Sequence, residues 1–456
     1  MDLQGKKALV VGLARTGLAV VRFLAAQGAR VKISEAKGAK ELGPILGELG
    51  GLDVEWELGG HTVPFFMDAE LIVVSPGVPL EIEPLVQARR RGIPLLSELE
   101  LSFRLLRRPL IAITGTNGKT TTTTLVGEML RASGKTAFVG GNIGRPLLHF
   151  AAAGQIEEWA VAEVSSFQLE AVADFRPAVG VLLNITEDHL DRHGDFSSYI
   201  RAKGRLFENQ QPEDFAVLNA DDPLVFPFPR ELRSKVVLFS ARRPVPVGSF
   251  LQDGAIIFRG ADGQRELFPL DRLRIRGAHN LENLMAALAV AKILGCPREA
   301  LQEVMEGFRG LEHRLEWAGD FRGVGYYNDS KGTNVGAVVK SLLSFTAPIW
   351  LIAGGKDKGG SYDPLRQPVA ERVKGLALLG EARERMCAAL GELTETVKVD
   401  SLEEAVRWAS ARAKPGEIVL LSPACSSFDM FKNYEERGER FKELVGELEK
   451  TGPLYV

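Results

Sequence analysis

The chain has 456 residues, beyond the roughly 250–300 at which one core stops growing, so several domains are expected and three is the working number. Its 56 Lys and Arg against 59 Asp and Glu leave a formal charge of -3, which excludes a bulk field for nucleic acid or an anionic membrane. A hydrophobic content of 45% with 48 Gly and 23 Pro excludes a disordered or fibrous chain.

Cys296, Cys387 and Cys425 are far apart and odd in number, which argues against a disulfide framework or a cysteine zinc cluster and for a reducing cytoplasm. The N-terminus enters a strand without an apolar leader, and no run of about 18 apolar residues follows, so no membrane insertion is expected.

From the N-terminus, KKALVVG (6–12), GLAVVRFLAAQG (17–28) and ARVKISE (29–35) read as strand, helix and strand. Apolar runs bounded by glycine alternating with helical patterns are βαβ units, which implies a parallel sheet wrapped by helices. The pattern continues through AELIVVSPG (69–77) and PLVQARRRG (84–92), and it restarts at PLIAITG (109–115) after the helical stretch SELELSFRLLRR (97–108). A second segment has strands at WAVAEVSS (159–166) and AVGVLLNIT (178–186), a hairpin around 254–270 and a long amphipathic helix at 279–295. APIWLIAGG (347–355), KGLALLG (374–380) and GEIVLLSPA (416–424) are the strands of a third α/β unit. The expected domains are 1–98, 99–310 and 311–456, with Rossmann-like first and last domains around a phosphate-loop ATPase domain with a mostly parallel sheet.

The strongest chemical signal is ITGTNGKTTTTTLVGEML (113–130), a strand that ends in a glycine turn opening into a helix. Gly115 and Gly118 allow backbone N–H groups to face a phosphate, and the helix N-terminus adds positive potential. Lys119 reaches the outer phosphates, and Thr120 offers a hydroxyl to Mg²⁺. The loop is shorter than G-x-x-x-x-G-K-[ST], because the position five before Gly118 is Ile113. In the N-terminal turn, Gly12 to Gly17, Ala14 stands where a dinucleotide site needs glycine, which disfavours an NAD-linked oxidoreductase. Glu35, ending the next strand, is where an acidic residue contacts a ribose.

Glu163 and His189 lie just past strand ends, where parallel sheets place their ligands. His189 and His193 are spaced i, i+4, but HLDRH lacks the general-base Glu of HExxH, so a zinc hydrolase is not expected. Lys203, in YIRAKGRLF, reads by itself as a solvated helix lysine. GAHNLEN (277–283), GLEHRLE (310–316), YYNDSKGTN (326–334) and SPACSSFDMFKNYEERGERF (422–441) supply further polar candidates.

Taken together with SPG (75–77), GNIG (141–144), EVSSFQLE and NITEDHLDRH, these segments resemble the Mur ligase family of ATP-dependent amide-forming enzymes, over nearly the whole chain. Within that family they resemble the branch that adds D-glutamate in peptidoglycan precursor synthesis. The resemblance implies that UDP-N-acetylmuramoyl-L-alanine is held by Arg15, Thr16, Glu35, Lys37 and Gly77, with Asn142 and His189 also on the substrate. It implies ATP on the loop Gly115, Thr116, Asn117, Gly118, Lys119, Thr120 and Thr121, with Asn280, Arg314 and Asp329 contacting the nucleotide. Two Mg²⁺ ions are implied, one on Thr120 and Glu163 and one on His189 and a carbamylated Lys203. D-glutamate falls to Lys331, Thr333, Lys358, Ser427, Phe428 and Tyr434, with Lys356 an alternative to Lys358, and His313 is a candidate for taking the amine proton. The implied enzyme is a cytoplasmic monomer whose third domain closes over the others.

Overall fold

The computed structural model describes residues 2–228, 232–273, 275 and 277–451. Of the residues singled out above, the side chain of Arg15 lies outside what is described. The chain forms two compact units, Met1–Asp271 with Glu282–Met305, and Arg272–Leu281 with Glu306–Val456.

The first unit holds two sheets. Strands β1 (Lys7–Val11), β2 (Arg30–Glu35), β3 (Val54–Leu58), β4 (Leu71–Val74) and β5 (Leu95–Ser97) form an all-parallel sheet in the order β3-β2-β1-β4-β5. Alternation along β1 explains why both faces are covered. Ala8 and Val10 pack with Val20, Val21 and Leu24, whereas Leu9 and Val11 pack with Phe66, Leu85 and Ala88.

The second sheet comprises β6 (Leu110–Thr114), β7 (Ala137–Gly141), β8 (Trp159–Glu163), β9 (Val179–Leu182), β10 (Phe215–Asn219), β11 (Lys235–Ser240), β12 (Gly248–Gln252), β13 (Ala255–Arg259) and β14 (Arg265–Pro269). Its order is β14-β13-β12-β11-β10-β9-β6-β8-β7, parallel up to β12 and antiparallel across the last two pairings. The hairpin expected around 254–270 is β13 and β14. The helix expected as amphipathic, Ala278–Ile293, is instead buried at every residue from Asn283 to Ala291, so it is a core helix.

Two buried carboxylates join these sheets. Ser97 caps the helix Glu98–Leu105 by accepting from Glu100 N–H. On that helix, Glu98 accepts from Leu148 N–H at 3.0 Å, and Glu100 accepts from the N–H groups of Ala173, Asp174 and Phe175 at 2.8 to 3.1 Å. Burial pushes the Glu98 carboxyl above the usual range.

In the second unit, β15 (Glu316–Phe321), β16 (Val324–Asn328), β17 (Ile349–Gly354), β18 (Val373–Leu379), β19 (Glu395–Lys398) and β20 (Ile418–Leu421) run in the order β15-β16-β20-β17-β18-β19. Within this sheet, among the described strands, only the β15–β16 pairing is antiparallel. On β17, Ile349, Leu351 and Ala353 face one core while Trp350 and Ile352 face another, so this sheet too is covered on both sides. The three-domain α/β organisation is thus present as three mostly parallel sheets.

Glycine is required at the first turn. A Cβ at Gly17 would lie 2.0 Å from the Gly12 carbonyl oxygen, and Gly12 has φ +90° with its own Cβ position 2.7 Å from Val78. Gly47, inside a helix, has open space around its Cβ position. Gly17→Ala is therefore expected to lower unfolding free energy by about 1–3 kcal/mol, while Gly47→Ala raises it by about 0.5–1 kcal/mol. Denaturant unfolding of both variants checks the pair, and equal effects would contradict the packing argument.

Candidate functional site

Sheet order assembles the site. Strand β6 lies between β9 and β8, with Thr114 opposite Leu182 and Ile113 opposite Glu163, so the loop after β6 emerges between the ends of those two neighbours. Carboxyl ends of parallel strands are where such sheets bind ligands.

The loop is held in shape by backbone and side chain alike. Gly115 has φ +153° and Gly118 has φ +87°; a Cβ on Gly118 would lie 2.1 Å from Asn283 Oδ1. Asn117 N–H donates to Asn184 Oδ1 at 2.9 Å, and Asn184 Nδ2 returns a bond to the Asn117 carbonyl at 3.0 Å. Thr116 Oγ1 donates to the Thr186 carbonyl and lies 3.0 Å from the Tyr199 hydroxyl. Gly118 caps the helix Lys119–Ala132, whose N-terminus faces the loop and in which Thr121 is buried. The Asn117 Nδ2 is buried without a hydrogen-bond partner, a donor that a phosphate oxygen would satisfy.

Lys119, expected at the phosphates, and Lys203, implied as a metal ligand once carbamylated, meet one acceptor. Lys119 Nζ donates to the carbonyls of Gly115 and Thr116 at 2.9 Å each, and Lys203 Nζ donates to the same Gly115 carbonyl at 2.9 Å. Lys203 is 2% exposed, so the reading of it as a solvated helix lysine is corrected. Burial, and after it the neighbouring Lys119 charge, holds its ammonium well below the ordinary lysine value.

Beside them, Thr120 Oγ1 donates to Glu163 Oε2 at 2.7 Å, and Asn142 Nδ2 donates to Glu163 Oε1 at 3.0 Å. Hydroxyl and carboxylate oxygens are the hard donors that Mg²⁺ prefers. His189 is partly exposed on the loop after β9, with φ +53°, its Nε2 3.7 Å from Asp188 Oδ2 and its ring edge-on to Phe167. Asp188 also acts on Lys203, which ties this loop to the lysine pair.

His193 belongs to the scaffold. Its Nδ1 is 3.0 Å from Glu170 Oε1 and its Nε2 3.0 Å from Ser166 Oγ. The order resembles a nucleophile, base and acid, but Ser166 is 3% exposed and the His193 side chain 2%, so no substrate reaches it.

At the N-terminal turn, the Glu35 carboxylate accepts from the backbone N–H groups of Leu13 and Lys37, so it shapes the turn. Thr16 is half-buried, and Lys37 and Gly77 are exposed.

In the second unit, Asp329 lies past the end of β16. Its Oδ2 accepts from Ser422 Oγ at 2.6 Å and from Ser341 Oγ at 2.7 Å, and burial pushes its pKa up to about 6. Arg314 is charged nearby, and Asn280 sits half-buried on the helix that begins at Ala278. Lys331 Nζ lies 3.5 Å from the Tyr434 ring centroid.

His313 is buried, with Nδ1 2.9 Å from Asn328 Nδ2 and Nε2 3.7 Å from Glu439, which makes it a brace for the 310–316 loop. Glu312, His313 and Glu439 are spaced closely enough for a metal, yet Lys442 Nζ is 2.8 Å from Glu439 and already supplies the positive charge. Ser427 is buried, Phe428 is 68% exposed, Thr333 is half-buried, and Lys356 and Lys358 are both exposed on one loop, with Lys356 N–H bonded to the Ser426 carbonyl.

Sequence reasoning missed Arg437. It is 2% exposed and donates to Ser330 Oγ, the Ser330 carbonyl and the Cys425 carbonyl, joining the two loops that carry Lys331 and Ser427. It stood inside the NYEERG segment, but nothing local marks an arginine as buried.

Comparison with known proteins agrees with this geometry. Residues 6–97 match the Mur ligase MurD-like N-terminal domain, 113–291 the Mur ligase middle domain, and 313–425 the Mur ligase glutamate ligase domain. The chain is 54% identical over 449 residues to UDP-N-acetylmuramoylalanine–D-glutamate ligase of Geotalea uraniireducens (strain Rf4), covering 98% of this chain and 99% of that one. It is 45% identical over 448 residues to the protein of the same name from Koribacter versatilis (strain Ellin345), covering 98% and 99%.

Among solved structures, UDP-N-acetylmuramate-alanine ligase from Thermotoga maritima shares the fold at TM-score 0.59 and 19% identity, covering 97% of this chain and 99% of that one. The MurF ligase of Thermotoga maritima in complex with ADP does so at TM-score 0.59 and 18% identity, covering 98% and 96%. The chain belongs to the Mur ligase family and is an ATP-dependent, amide-bond-forming ligase.

The raised pKa of Asp329 has a defined sign. Folded Asp329 binds its proton more tightly than the unfolded chain does, so its contribution is fully present below pH 3.8 and is lost as pH rises through about 6. That shift corresponds to about 3 kcal/mol. Asp329→Asn removes the dependence, so the variant's unfolding free energy relative to the native chain is expected to rise by about that amount between pH 4 and pH 7. Urea unfolding at the two pH values checks it; a constant offset would refute the assignment.

Proposed function

We infer that the chain joins D-glutamate to UDP-N-acetylmuramoyl-L-alanine in peptidoglycan precursor synthesis, through an acyl phosphate, releasing ADP and phosphate. The observation that carries this reading is the junction β9-β6-β8, which brings a phosphate loop beside a carboxylate and a lysine pair of which Lys203 is buried. The amino acid is taken from the name of the relatives that the chain matches end to end.

The chemistry needs activation because a carboxylate is a poor electrophile and an ammonium is no nucleophile. Transfer of the γ-phosphoryl group of ATP to the L-alanyl carboxylate gives an acyl phosphate, which the free amine of D-glutamate attacks. The tetrahedral intermediate collapses to amide and phosphate. Lys119, the N–H groups of Gly118 and Thr121 and the Asn117 side-chain amide hold the phosphates on the loop that Gly115 and Thr116 shape, and Asn280, Arg314 and Asp329 serve the nucleotide. Bound Mg²⁺ offsets the repulsion between the carboxylate and the triphosphate. Thr120 and Glu163 are suited to hold one ion, and His189 with Lys203 a second.

An ammonium does not fit among ligands of a cation, but a neutral amine that adds CO₂, releasing a proton, becomes a carbamate with two oxygens. The depressed pKa of Lys203 supports that modification.

Thr16, Glu35, Lys37 and Gly77, with Arg15 in the same turn, are proposed for the uridine diphosphate, and Asn142 for the muramoyl side. Lys331, Thr333, Lys358, Ser427, Phe428 and Tyr434 are proposed for D-glutamate. The domains for these tasks are 1–98, 99–310 and 311–456, in a cytoplasmic monomer.

Phosphate release with ATP, Mg²⁺ and UDP-N-acetylmuramoyl-L-alanine is expected to require D-glutamate and to be negligible with L-glutamate; release indifferent to D-glutamate refutes the reading. Glu163→Gln and Lys203→Ala are each expected to lower kcat by about 10²–10³. Intact-mass measurement without acid is expected to detect added CO₂ on the native chain and not on Lys203→Ala.

A further inference from the structure

The loop after β4 and the loop after β9 belong to different sheets of the first unit, and one side chain joins them. Arg192 Nη2 donates to the Val78 carbonyl at 2.9 Å and to Glu170 Oε2 at 2.9 Å. Its guanidinium carbon lies 5.6 Å from the Phe167 ring centroid, the ring that also meets His189 and His193.

Val78 in turn packs against the N-terminal turn, since its Cγ2 is 2.7 Å from the Cβ position of Gly12, and Ser75 Oγ donates to the Gly12 carbonyl at 2.7 Å. A continuous set of contacts therefore runs from the Gly12 turn through Ser75 and Val78 to Arg192 and the short helix Leu190–His193, which His189 caps.

The surroundings fix Arg192 from several sides. Its side chain is 20% exposed and that of Glu170 is 15%, so the ion pair is largely shielded from water. The Glu170 carboxylate also holds His193 through Oε1, which anchors the same short helix at a second point. Both bonds leave from Nη2, at the end of a side chain longer than that of lysine, and the ammonium of a lysine in its place does not extend as far as that position.

We propose that Arg192 is a positioning residue that sets the register between the loop carrying the UDP-linked substrate, residues 75–78, and the loop carrying His189. The inference rests on the function proposed above. In that reaction the nucleotide end of the acceptor is held by the first sheet while its carboxylate must meet the γ-phosphate at the second. A register error of about an ångström between them suffices to cost on the order of a hundredfold in rate. Misplacement also leaves the acyl phosphate poorly aimed at the amine, so water competes for it, giving back the carboxylate and free phosphate.

The test uses the full chain and the variants Arg192→Met, which keeps an apolar stem against Phe167, and Arg192→Lys, which keeps the charge opposite Glu170. Both are expected to lower kcat by about tenfold to a hundredfold. Affinity for UDP alone and KM for ATP should stay within about twofold of the native values. Phosphate released per amide formed is expected to rise above the native ratio in both, a readout that partial unfolding leaves unmoved because it depletes both products equally.

If Arg192→Met does not fold, Arg192→Lys decides alone. A folded variant with native kcat and a native ratio overturns the proposal, as does one whose kcat falls while the ratio stays unchanged. Failure of the native chain to make the D-glutamyl amide would instead overturn the function itself.

Discussion

The Gly115 carbonyl carries the site, because two lysines from different helices converge on it. Lys119 and Lys203 both donate to this oxygen, and the glycine is needed because φ is +153° there. Two ammonium groups so close, one of them with 2% exposure, repel one another in a medium that screens poorly. Burial, and after it the Lys119 charge, therefore weakens the hold of Lys203 on its proton, and the amine left by losing it would still satisfy the carbonyl. Thus the contact that closes the loop also sets the environment that lowers the proton affinity of Lys203. Fold and chemistry share one constraint.

That loop would have no neighbours without the strand order of the second sheet. In chain order β8 precedes β9, yet both flank β6, so Glu163 and the 184–194 loop arrive on opposite sides of the phosphate loop. Parallel pairing puts all three strand ends on one edge. The arrangement follows from topology, and no segment contains it.

What the sequence made legible follows from this distinction. The strands at 7–11, 110–114, 159–163 and 349–354 are apolar runs closed by glycine or small residues, and local pattern suffices for them. VEWEL at 54–58 carries two glutamates on an edge strand, and its alternation of charge and bulk gave no comparable signal. The helix at 278–293 reads as two-faced from its polar residues, but its surroundings bury Asn283 along with the alanines. Lys203 shows the limit most clearly, since nothing in YIRAKGRLF reveals that a carbonyl 88 positions earlier receives it. Only resemblance to a family pointed there. Arg192 and Arg437 went unread for the same reason, with partners 114 and 107 positions away.

Burying Arg437 is costly, and the second unit accepts that cost for a reason that a hydrophobic replacement shows. The guanidinium is surrounded by carbonyls of Ser330, Cys425 and Ser426 and by the Ser330 hydroxyl, and burial lowers its pKa only to about 10. It therefore stays charged at neutral pH. An aliphatic side chain of equal volume would remove the desolvation penalty but leave those inward-facing carbonyls without donors, each costing about 1–3 kcal/mol. Turning the carbonyls outward would require rebuilding the turns that carry Lys331 and Ser427. The loops hold their shape because one cation satisfies both, so the rigidity of this part of the second unit derives from a single buried charge.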